Sequence, residues 1–317
     1  MELFIGLIFL AVLIAIWYKS TMKDPPGPHR VPLLGSFPFL NMKKGVVGWL
    51  LDRNVTQHRI CTIDLLSVKK IYIVNDFDLS KELFAREEFS GREVTTLQTL
   101  HRWYQRKAQG IVFTEKEQWS AQRRFSLKTL KNFGFGKQSL EEAMNLEIDC
   151  LIEEFTSYQG DFKMGTNFTI PIINILWQLA ANMRFTQEDS KGREMVEKVN
   201  IIFRHGVKVN SIPLWINKMF PGLTGYGEQV EALNDQKEYI MDIIHEHKKS
   251  IDINNPRDFI DVYLMEMNKQ TTKQVEFNQE ELGSILLDFF HAGTETSSTT
   301  LKWIVLYLCV HQDVQDR

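Results

Sequence analysis

Cysteine is scarce in this sequence. Among its 317 residues only Cys61, Cys150 and Cys309 occur, and they are widely separated. Three scattered cysteines are too few for a disulfide framework and have the wrong spacing for a paired-cysteine metal site. The sequence therefore favours a protein that folds in a reducing compartment.

An excess of charge of either sign is also missing. Lys plus Arg total 37 and Asp plus Glu total 40, so the formal net charge is −3. No basic surplus indicates a nucleic-acid partner. His245 and His247 are two residues apart and would point away from each other on a helix, so they cannot chelate one metal ion from one face. The stretch FGFGK at 133–137 lacks the spacing of a phosphate loop.

Hydrophobic residues make up 44% of the chain and charged residues 24%, which describes a globular protein with a large core. The run from Leu3 to Tyr18 is apolar throughout, and we predict an uncleaved transmembrane anchor over 1–20. A cleaved signal peptide is the alternative, but basic residues do not precede the run and no small-residue cleavage pattern follows it. Lys19, Lys23 and Arg30 follow the run, which predicts that the bulk of the protein lies on the cytoplasmic side.

Proline is concentrated behind this run. Five of the nine prolines lie between Pro25 and Pro38. Proline fixes its own backbone and biases the preceding residue toward extended geometry. We therefore predict a stiff, non-helical hinge over 21–40, with an ordinary proline-rich linker as the simpler alternative.

Strand patterns are confined to one region. RICTIDLL and KKIYIVN predict a β-hairpin, and DLSKELFAR predicts a helix after it. Helices dominate from Thr114, where Thr114 and Glu117 form the pattern of a capping box. Further helices are predicted at about 138–158, 166–184, 190–209, 228–250 and 256–268, the last with Asn255 as its N-cap. The fold class is mainly α with a small β-sheet.

The last predicted helix runs from Asn278, its N-cap, to about Gln312. It would be about 50 Å long and is apolar on nearly every face, as expected of a central helix. Its middle reads HAGTETSSTT, which weakens a helix. Gly293 would open a groove beside the hydroxyl of Thr296, and Glu295 lies close enough for the acid and the alcohol to share a proton path. Alternatively, Thr296 bonds to the carbonyl of Ala292 and Gly293 permits a close helix crossing.

Two further side chains present donors from one helix face. Trp119 and Arg123 are four residues apart, and an indole N–H beside a guanidinium suits a carboxylate ligand. The alternative is a surface cation–π pair. His291 lies close to Gly293, but a lone histidine in an apolar helix is more often a hydrogen-bonded core residue than a ligand.

Taken in order, these features resemble the microsomal cytochrome P-450 superfamily of haem-thiolate monooxygenases. The segments that carry the resemblance are the apolar anchor, PPGP, FSGRE, GIVFTEKEQWSAQRRFSLKTLKNFGFGK, NNPRDFIDVYL and AGTETSSTTL. The sequences of these segments are most similar to those of the family-two branch, which oxidises small lipophilic compounds. The resemblance implies the cytochrome P-450 fold, truncated after the long central helix, with an incomplete catalytic domain over 41–317.

The resemblance also implies roles for particular residues. Trp119 and Arg123 match the donors that hold a haem propionate. Ala292 and Gly293 match the pair that opens the distal side of the haem, and Glu295 and Thr296 match the acid and alcohol that deliver protons to bound dioxygen. The residues that fall where relatives line their substrate pocket are Val112, Phe113, Phe289 and Phe290.

Cofactors and partners follow from the same resemblance. The family uses haem b and takes electrons from NADPH through a membrane-bound reductase, with cytochrome b5 as a second partner, at the endoplasmic reticulum membrane. Its members act on lipophilic compounds such as xenobiotics and steroids. Basic side chains on the Trp119 helix would suit reductase docking, although a solvated helix face explains them equally well; they are Arg123, Arg124, Lys128 and Lys131.

The sequence departs from the family pattern in two places. His291 stands where a small or apolar residue is expected before Ala292. The E-x-x-R helix and the Gly- and Phe-rich loop with the cysteine ligand do not occur within the 317 residues. We therefore expect that this polypeptide alone cannot form a thiolate-ligated haem. The alternative to a monooxygenase is a truncated, non-enzymatic, membrane-tethered helical protein.

Overall fold

The computed structural model describes residues 23–39, 48, 50–65, 69–92, 108–186, 189–269 and 275–317. Contacts divide the chain into two units, Met1–Gly91 and Arg92–Arg317. The predicted anchor at 1–20 lies outside the described residues. Within the described ranges, no helix combines the length and the apolar character needed to cross a bilayer.

The first unit is built on the predicted hairpin. Strands β1 (Ile60–Leu65) and β2 (Lys69–Val74) pair antiparallel, and β1 is the more deeply buried of the two. The predicted helix after the hairpin is also confirmed, and its N-cap Asp76 accepts a hydrogen bond from the Leu79 amide at 2.8 Å. Among the described residues, the helices of this unit are α1 (Arg53–Thr56) and α2 (Phe77–Ala85), with 3-10 turns at Phe37–Phe39 and Glu87–Phe89.

The described part of the proline-rich hinge packs on β1 and holds no α-helix; the 3-10 turn at Phe37–Phe39 is its one departure from the predicted non-helical backbone. The Thr62 amide donates to the carbonyl oxygen of Pro26 at 2.9 Å, and the Ser36 amide donates to that of Asp64 at 2.6 Å. A Cβ at Gly27 would lie 2.1 Å from the Thr62 carbonyl oxygen, so only glycine allows this close approach. These residues are therefore part of the folded unit.

The second unit is helical in all of its described regular elements, in agreement with the predicted fold class. Most boundaries lie within three residues of those predicted. The helices are α3 (Lys116–Asn132), α4 (Gln138–Ser157), α5 (Thr169–Ala181), α6 (Ser190–Ser211), α7 (Leu214–Met219), α8 (Pro221–Thr224), α9 (Tyr226–Ser250), α10 (Phe259–Met267), α11 (Gln279–Val310) and α12 (Gln312–Gln315).

Helix α11 is the centre of this unit, because α5, α6, α9 and α10 all pack against it or against one another. Trp177, Ile244 and Phe259 are fully buried around its first half, where every residue from Leu282 to Leu287 is also buried. The second half differs: its large apolar side chains are exposed, notably Trp303, Ile304 and Tyr307. The first half of α11 is therefore central, as expected, whereas the apolar side chains of its second half are exposed in the described part of the chain.

Two predicted helix caps are wrong. The hydroxyl of Thr114 donates to the Gly110 carbonyl at 2.5 Å, so it does not cap α3, which begins after Glu115. Helix α10 begins after Asp258, whose carboxylate accepts from the Asp261 amide at 2.9 Å, and not after Asn255. In both places a buried contact or a better acceptor displaces the cap that the sequence pattern favours.

The predicted N-cap of α11 is confirmed. The side-chain oxygen of Asn278 accepts a hydrogen bond from the Glu281 amide at 2.8 Å. The Glu281 carboxylate, however, turns away from the cap and bonds to the Gly110 amide at 3.2 Å. The start of α11 is thereby joined to the segment that precedes α3.

Candidate functional site

The HAGTETSSTT stretch borders a groove of about 590 Å³ between α4, α5 and α11. Most of its lining is apolar, and the polar atoms come from the small residues of α11. The lining includes Leu140, Met144, Leu176, Leu179, Gly293 and Thr296. None of the three cysteines lines this groove.

Gly293 lies at the crossing of α5 and α11. A Cβ on Gly293 would come within 2.6 Å of the Leu176 Cδ2 atom, which is the flexible end of that side chain. The absent side chain therefore serves the close helix crossing that was one of the two explanations of this glycine. The groove is open beside it, so the two explanations are compatible.

Glu295 and Thr296 each bond within their own helical turn. The Thr296 hydroxyl donates to the carbonyl oxygen of Ala292 at 2.7 Å, and the Glu295 carboxylate accepts from the Thr299 hydroxyl at 3.0 Å. The side chains of Ala292 and Thr296 are nevertheless exposed on one face of α11. The structure thus places Thr296 at the groove, whereas Glu295 is half-buried and does not line it, and the two side chains are not hydrogen-bonded to each other.

Trp119 and Arg123 lie one turn apart on α3, as predicted. The guanidinium carbon of Arg123 is 5.7 Å from the centre of the indole ring, which is the distance of a cation–π pair. In the part of the chain that the structure describes, Arg123 forms no ion pair, and its side chain is exposed. Its N–H donors are available to an anionic ligand.

The predicted pocket residues do not all meet in one place. Phe289 is partly buried and packs edge-on against Phe259, with ring centres 5.3 Å apart. Phe290 is 2% exposed and packs against Trp177 in the core, with ring centres 5.2 Å apart. A rotation of about 100° per residue carries Phe290 onto the buried side of α11, away from the groove.

Val112 and Phe113, the other two predicted pocket residues, lie at the end of a segment whose backbone amides are hydrogen-bonded to buried acids of α11. Val112 is exposed and Phe113 is partly buried. One oxygen of Asp288 accepts hydrogen bonds from the amides of Ile111 at 2.6 Å and of Val112 at 2.9 Å. This contact was not predicted from the sequence, although an acid in the middle of an apolar helix is a signal that could have indicated a buried hydrogen-bond partner.

Burial dominates the titration of both acids near this segment. It raises the pKa of Asp288 to about 7, against the opposing effect of the two amide hydrogen bonds. It also raises the pKa of Glu281 to about 7, against hydrogen bonds from the Gln118 side chain and the Gly110 amide. Both carboxyl groups therefore titrate near neutral pH.

His291 is a core residue, as expected of a lone histidine on this helix. Its Nε2 lies 2.7 Å from Oε1 of Gln236, whose amide nitrogen donates to the Met195 carbonyl at 2.9 Å. Because Gln236 Oε1 can only accept, His291 Nε2 carries the proton. Burial lowers the pKa of His291 to about 4, so the ring is neutral at physiological pH.

The residues present fit a haem on the evidence of their donors and their size. Arg123 and Trp119 offer N–H groups suited to a propionate carboxylate. Ala292 and Thr296 leave a face of small side chains on α11. By the resemblance, the residues that would hold the group are Trp119, Arg123, Ala292 and Gly293.

The three cysteines lie elsewhere. Cys61 is buried in β1, and Cys309 is exposed near the end of α11. Cys150 lies on α4 and accepts a hydrogen bond from the Arg184 guanidinium at 3.3 Å. None of them lies beside the Ala292–Thr296 stretch in sequence or lines the groove.

Comparison with known proteins agrees with these features. The family model for cytochrome P450 matches residues 25–317. Cytochrome P450 2C25 of Mesocricetus auratus and cytochrome P450 2C29 of Mus musculus are each 32% identical over 96% of this chain and 62% of their own length. Cytochrome P450 2J3 of Rattus norvegicus is 32% identical over 95% of this chain and 60% of its own length.

The chain thus spans 62% of the length of the first of these relatives. The match covers nearly all of the chain and includes both helices that carry the candidate site, α3 and α11. The resemblance predicted from the sequence motifs is confirmed, and the chain belongs to the cytochrome P450 family.

Proposed function

We propose that this protein is a haem-dependent monooxygenase that inserts one oxygen atom of O2 into a small lipophilic substrate. The observation that carries the proposal is the pairing of two features in one unit: the Trp119–Arg123 donors on α3 and the exposed Ala292–Thr296 face on α11. Haem b, when bound, supplies the iron chemistry that activates dioxygen.

In this proposal α3 anchors the haem. Arg123 is permanently charged and presents N–H donors in a planar fork, which matches a carboxylate better than a lysine would. The indole of Trp119 supports the guanidinium from one side and adds its own N–H. Because Arg123 has no carboxylate partner among the described residues, a propionate would not have to displace one.

Helix α11 handles protons in this proposal. The Thr296 hydroxyl can exchange its bond to the Ala292 carbonyl for a bond to water at a net cost of about 1 kcal/mol. Glu295, whose carboxylate is bonded to the Thr299 hydroxyl, is the nearby proton source. Gly293 leaves room beside them, so a water molecule can link the alcohol with solvent.

The substrate pocket is proposed to include Val112, Phe113 and Phe289. Their apolar side chains would favour a lipophilic substrate by removing its surface from water. Phe290 would not line the pocket directly, because its ring is in the core against Trp177. We therefore expect substitutions at Phe290 to affect stability before selectivity.

We propose a location at the endoplasmic reticulum membrane, with the anchor at 1–20 and the catalytic unit on the cytoplasmic side. An exposed apolar surface on α7 and α8 supports membrane contact, because Trp215 is 64% exposed and Leu223 is 76% exposed. Met219 and Phe220 extend this surface. Aromatic and aliphatic side chains of this kind bind the boundary between headgroups and acyl chains.

Electrons are proposed to come from NADPH through a membrane-bound reductase, with cytochrome b5 as a second donor. The exposed side chains of Arg124, Lys128 and Lys131 on α3 form a basic face for acidic redox partners. Such a face would mainly raise the rate of association, and we expect that rate to fall with ionic strength.

We further propose that none of the three cysteines present is the thiolate ligand of the haem, because Cys61 is in a buried strand and Cys150 and Cys309 lie outside the groove. The polypeptide of residues 1–317 alone would then lack thiolate ligation. A non-enzymatic, membrane-tethered helical protein is the second candidate, supported by the exposed apolar second half of α11.

The haem-binding role of α3 is tested by the ratio of haem to protein after purification from membranes. We expect Arg123→Leu combined with Trp119→Phe to lower this ratio by about tenfold, since a charge-assisted hydrogen bond contributes about 1.5–3 kcal/mol. Arg204→Leu, which removes an exposed arginine on α6, is the matched control and should leave the ratio unchanged. Equal haem retention in both variants would contradict the assignment.

A further inference from the structure

His291 joins α11 to two other helices through one glutamine. Its Nε2 atom donates to Oε1 of Gln236 on α9 at 2.7 Å, and the amide nitrogen of Gln236 donates to the Met195 carbonyl oxygen on α6 at 2.9 Å. All three residues are buried. The His291–Gln236–Met195 link is therefore a buried chain of two hydrogen bonds that connects α11, α9 and α6.

A second glutamine of α9 gives an internal comparison. Gln229 lies seven residues before Gln236 and so on the same face of α9. Its amide nitrogen donates to the Ile202 carbonyl oxygen on α6 at 3.1 Å, as that of Gln236 does to Met195. Its Oε1 atom, however, is buried and has no hydrogen-bond partner in the described part of the chain. Both glutamines thus join α9 to α6, but of these two only Gln236 is bonded to α11.

Helices α6 and α9 are also joined to each other without His291. The Lys198 ammonium of α6 forms ion pairs with Asp235 of α9 and with Glu194 of its own helix. Together with the two glutamine bonds, this contact makes α6 and α9 one packed pair. Loss of the His291 hydrogen bond should therefore loosen the pair from α11 before it separates α6 from α9.

A histidine at position 291 provides the donor that the link needs. Gln236 Oε1 can only accept, so its partner on α11 must present an N–H or O–H group. The family pattern predicts a small or apolar residue at this position, and an apolar side chain has no such group. The link is therefore a property of this chain's own residues.

The link lies beside the candidate site. Ala292, the next residue, is exposed on the Ala292–Thr296 face. On the side of α6, the partly exposed ring of Phe203 stands edge-on to the imidazole, with ring centres 6.3 Å apart. The distance between α6 and α11 at this level therefore sets how far Phe203 lies from Ala292.

We propose that His291 is a positioning residue, which holds the α6–α9 pair on α11 through Gln236 and so fixes the distance between Phe203 and Ala292. A change in this distance would change the size of the ligand that the site admits beside Ala292. That consequence rests on the proposed function, whereas the link itself involves neither haem nor substrate.

The link is tested by a double-mutant cycle, with the equilibrium constant of unfolding measured by urea titration of the full chain in detergent. His291→Leu keeps a similar volume but leaves Gln236 Oε1 buried without a donor, so we expect the unfolding constant to rise by about tenfold. Coupling with Gln236→Leu should be at least about fivefold, because the double variant leaves neither group without its partner. His291→Gln keeps an N–H donor and should recover much of the loss.

The matched control cycle combines His291→Leu with Gln229→Leu. Gln229 makes the same bond to α6 but is not bonded to α11, so the two losses should be additive within about twofold. Additive losses in the His291–Gln236 cycle, or a His291→Gln variant no more stable than His291→Leu, would overturn the link.

A second measurement asks whether the link acts on the site. Imidazole and 4-phenylimidazole are titrated into membranes that contain the protein, and the absorbance of the haem is followed. We expect the ratio of their dissociation constants to change by about fivefold or more in His291→Leu, and by less than about twofold in His291→Gln and Gln229→Leu. A purely structural role would lower the amount of folded protein without changing this ratio.

The outcomes separate the link from the proposed function. Coupling between His291 and Gln236 with an unchanged ratio of dissociation constants would overturn the effect on the site. Protein that holds no haem would contradict the proposed function, and the urea titrations would still decide the link.

Discussion

The Nε2 atom of His247 lies 2.8 Å from Oδ2 of the fully buried Asp258, and its Nδ1 atom lies 2.8 Å from the Ile243 carbonyl oxygen. Both neighbours accept hydrogen bonds, so both ring nitrogens donate and the ring is an imidazolium ion. Asp261 accepts two further bonds from the guanidinium of Arg257. The cluster of His247, Asp258 and Asp261 is therefore balanced by its own cations, which disfavours a metal ion there.

His247 should make stability depend on pH. Burial opposes the charged ring, but the hydrogen bond that the ring donates to Asp258, together with the negative charges of Asp258 and Asp261, outweighs it and raises the pKa of His247 above its usual value. The stabilisation is therefore complete below about pH 6.5, the pKa of an unfolded histidine, and is lost as the pH rises through the raised pKa. We expect the difference in unfolding free energy between the wild type and His247→Gln to shrink from pH 6 to pH 9 in urea titrations.

Removing the ring should cost more than a typical core substitution. His247→Ala would leave Asp258 buried without its partner, and breaking such a pair costs about 3–5 kcal/mol. His245→Ala, at an exposed position on the opposite face of α9, is the control and should change the free energy of unfolding by less than about 0.5 kcal/mol. Equal losses for the two variants would contradict a buried ion pair.

The crossing of α5 and α11 at Gly293 gives a prediction about packing. Gly293→Val would place a branched side chain against Leu176 Cδ2, and overpacking of this kind costs about 1–3 kcal/mol. We expect Leu176→Ala to recover much of this loss in a double-mutant cycle, because it removes the contacting atom. Additive losses from the two changes would mean that Leu176 is not the obstacle.

A substitution at Thr296 should affect catalysis without affecting the stability of the fold. Its side chain is exposed, so Thr296→Val should change the unfolding free energy by less than about 0.5 kcal/mol. If its hydroxyl delivers protons, the fraction of NADPH electrons recovered in hydroxylated product should fall by about 100-fold or more. Thr296→Ser, which keeps the hydroxyl, should recover most of this fraction. Equal product yields from the valine and serine variants would exclude the role.

The surface on α7 and α8 should contact lipid. Quenching of tryptophan fluorescence by brominated lipids is compared between the wild type and Trp215→Phe in reconstituted vesicles. We expect the variant to lose a measurable part of the quenching, because the indole of Trp215 is exposed on an apolar surface. Trp303→Phe removes another exposed indole on α11 and is the control for a general loss of signal. Unchanged quenching in Trp215→Phe would remove this surface from the membrane.

Local patterns predicted most of the fold. Alternating apolar residues gave the β1–β2 hairpin, and the spacing of apolar residues gave the long helices, including the Asn278 cap of α11. The wrong caps, at Thr114 and Asn255, depend on competing acceptors that the pattern does not include. Thr114 bonds to Gly110 because that turn is buried, which only the tertiary structure decides.

The site was less accessible to sequence reasoning. Trp119 and Arg123 lie within one helix, and so do Gly293 and Thr296. Helical periodicity alone therefore predicts that the members of each pair are neighbours on one face. The contact between Glu281 and Gly110 joins residues 171 positions apart, and no local pattern indicates it. Phe290 was assigned to the substrate pocket on the family resemblance, but the helical rotation places its ring in the core against Trp177.

We propose that the Trp119–Arg123 donors and the Ala292–Thr296 face belong to a haem-thiolate monooxygenase. The most direct measurement is the absorbance spectrum of the protein in its membranes after reduction under carbon monoxide, recorded beside the double variant Arg123→Leu with Trp119→Phe. The protein should give the band typical of thiolate-ligated haem, and the double variant should weaken it. Absence of haem from the protein, or a band that the double variant leaves unchanged, would contradict this proposal.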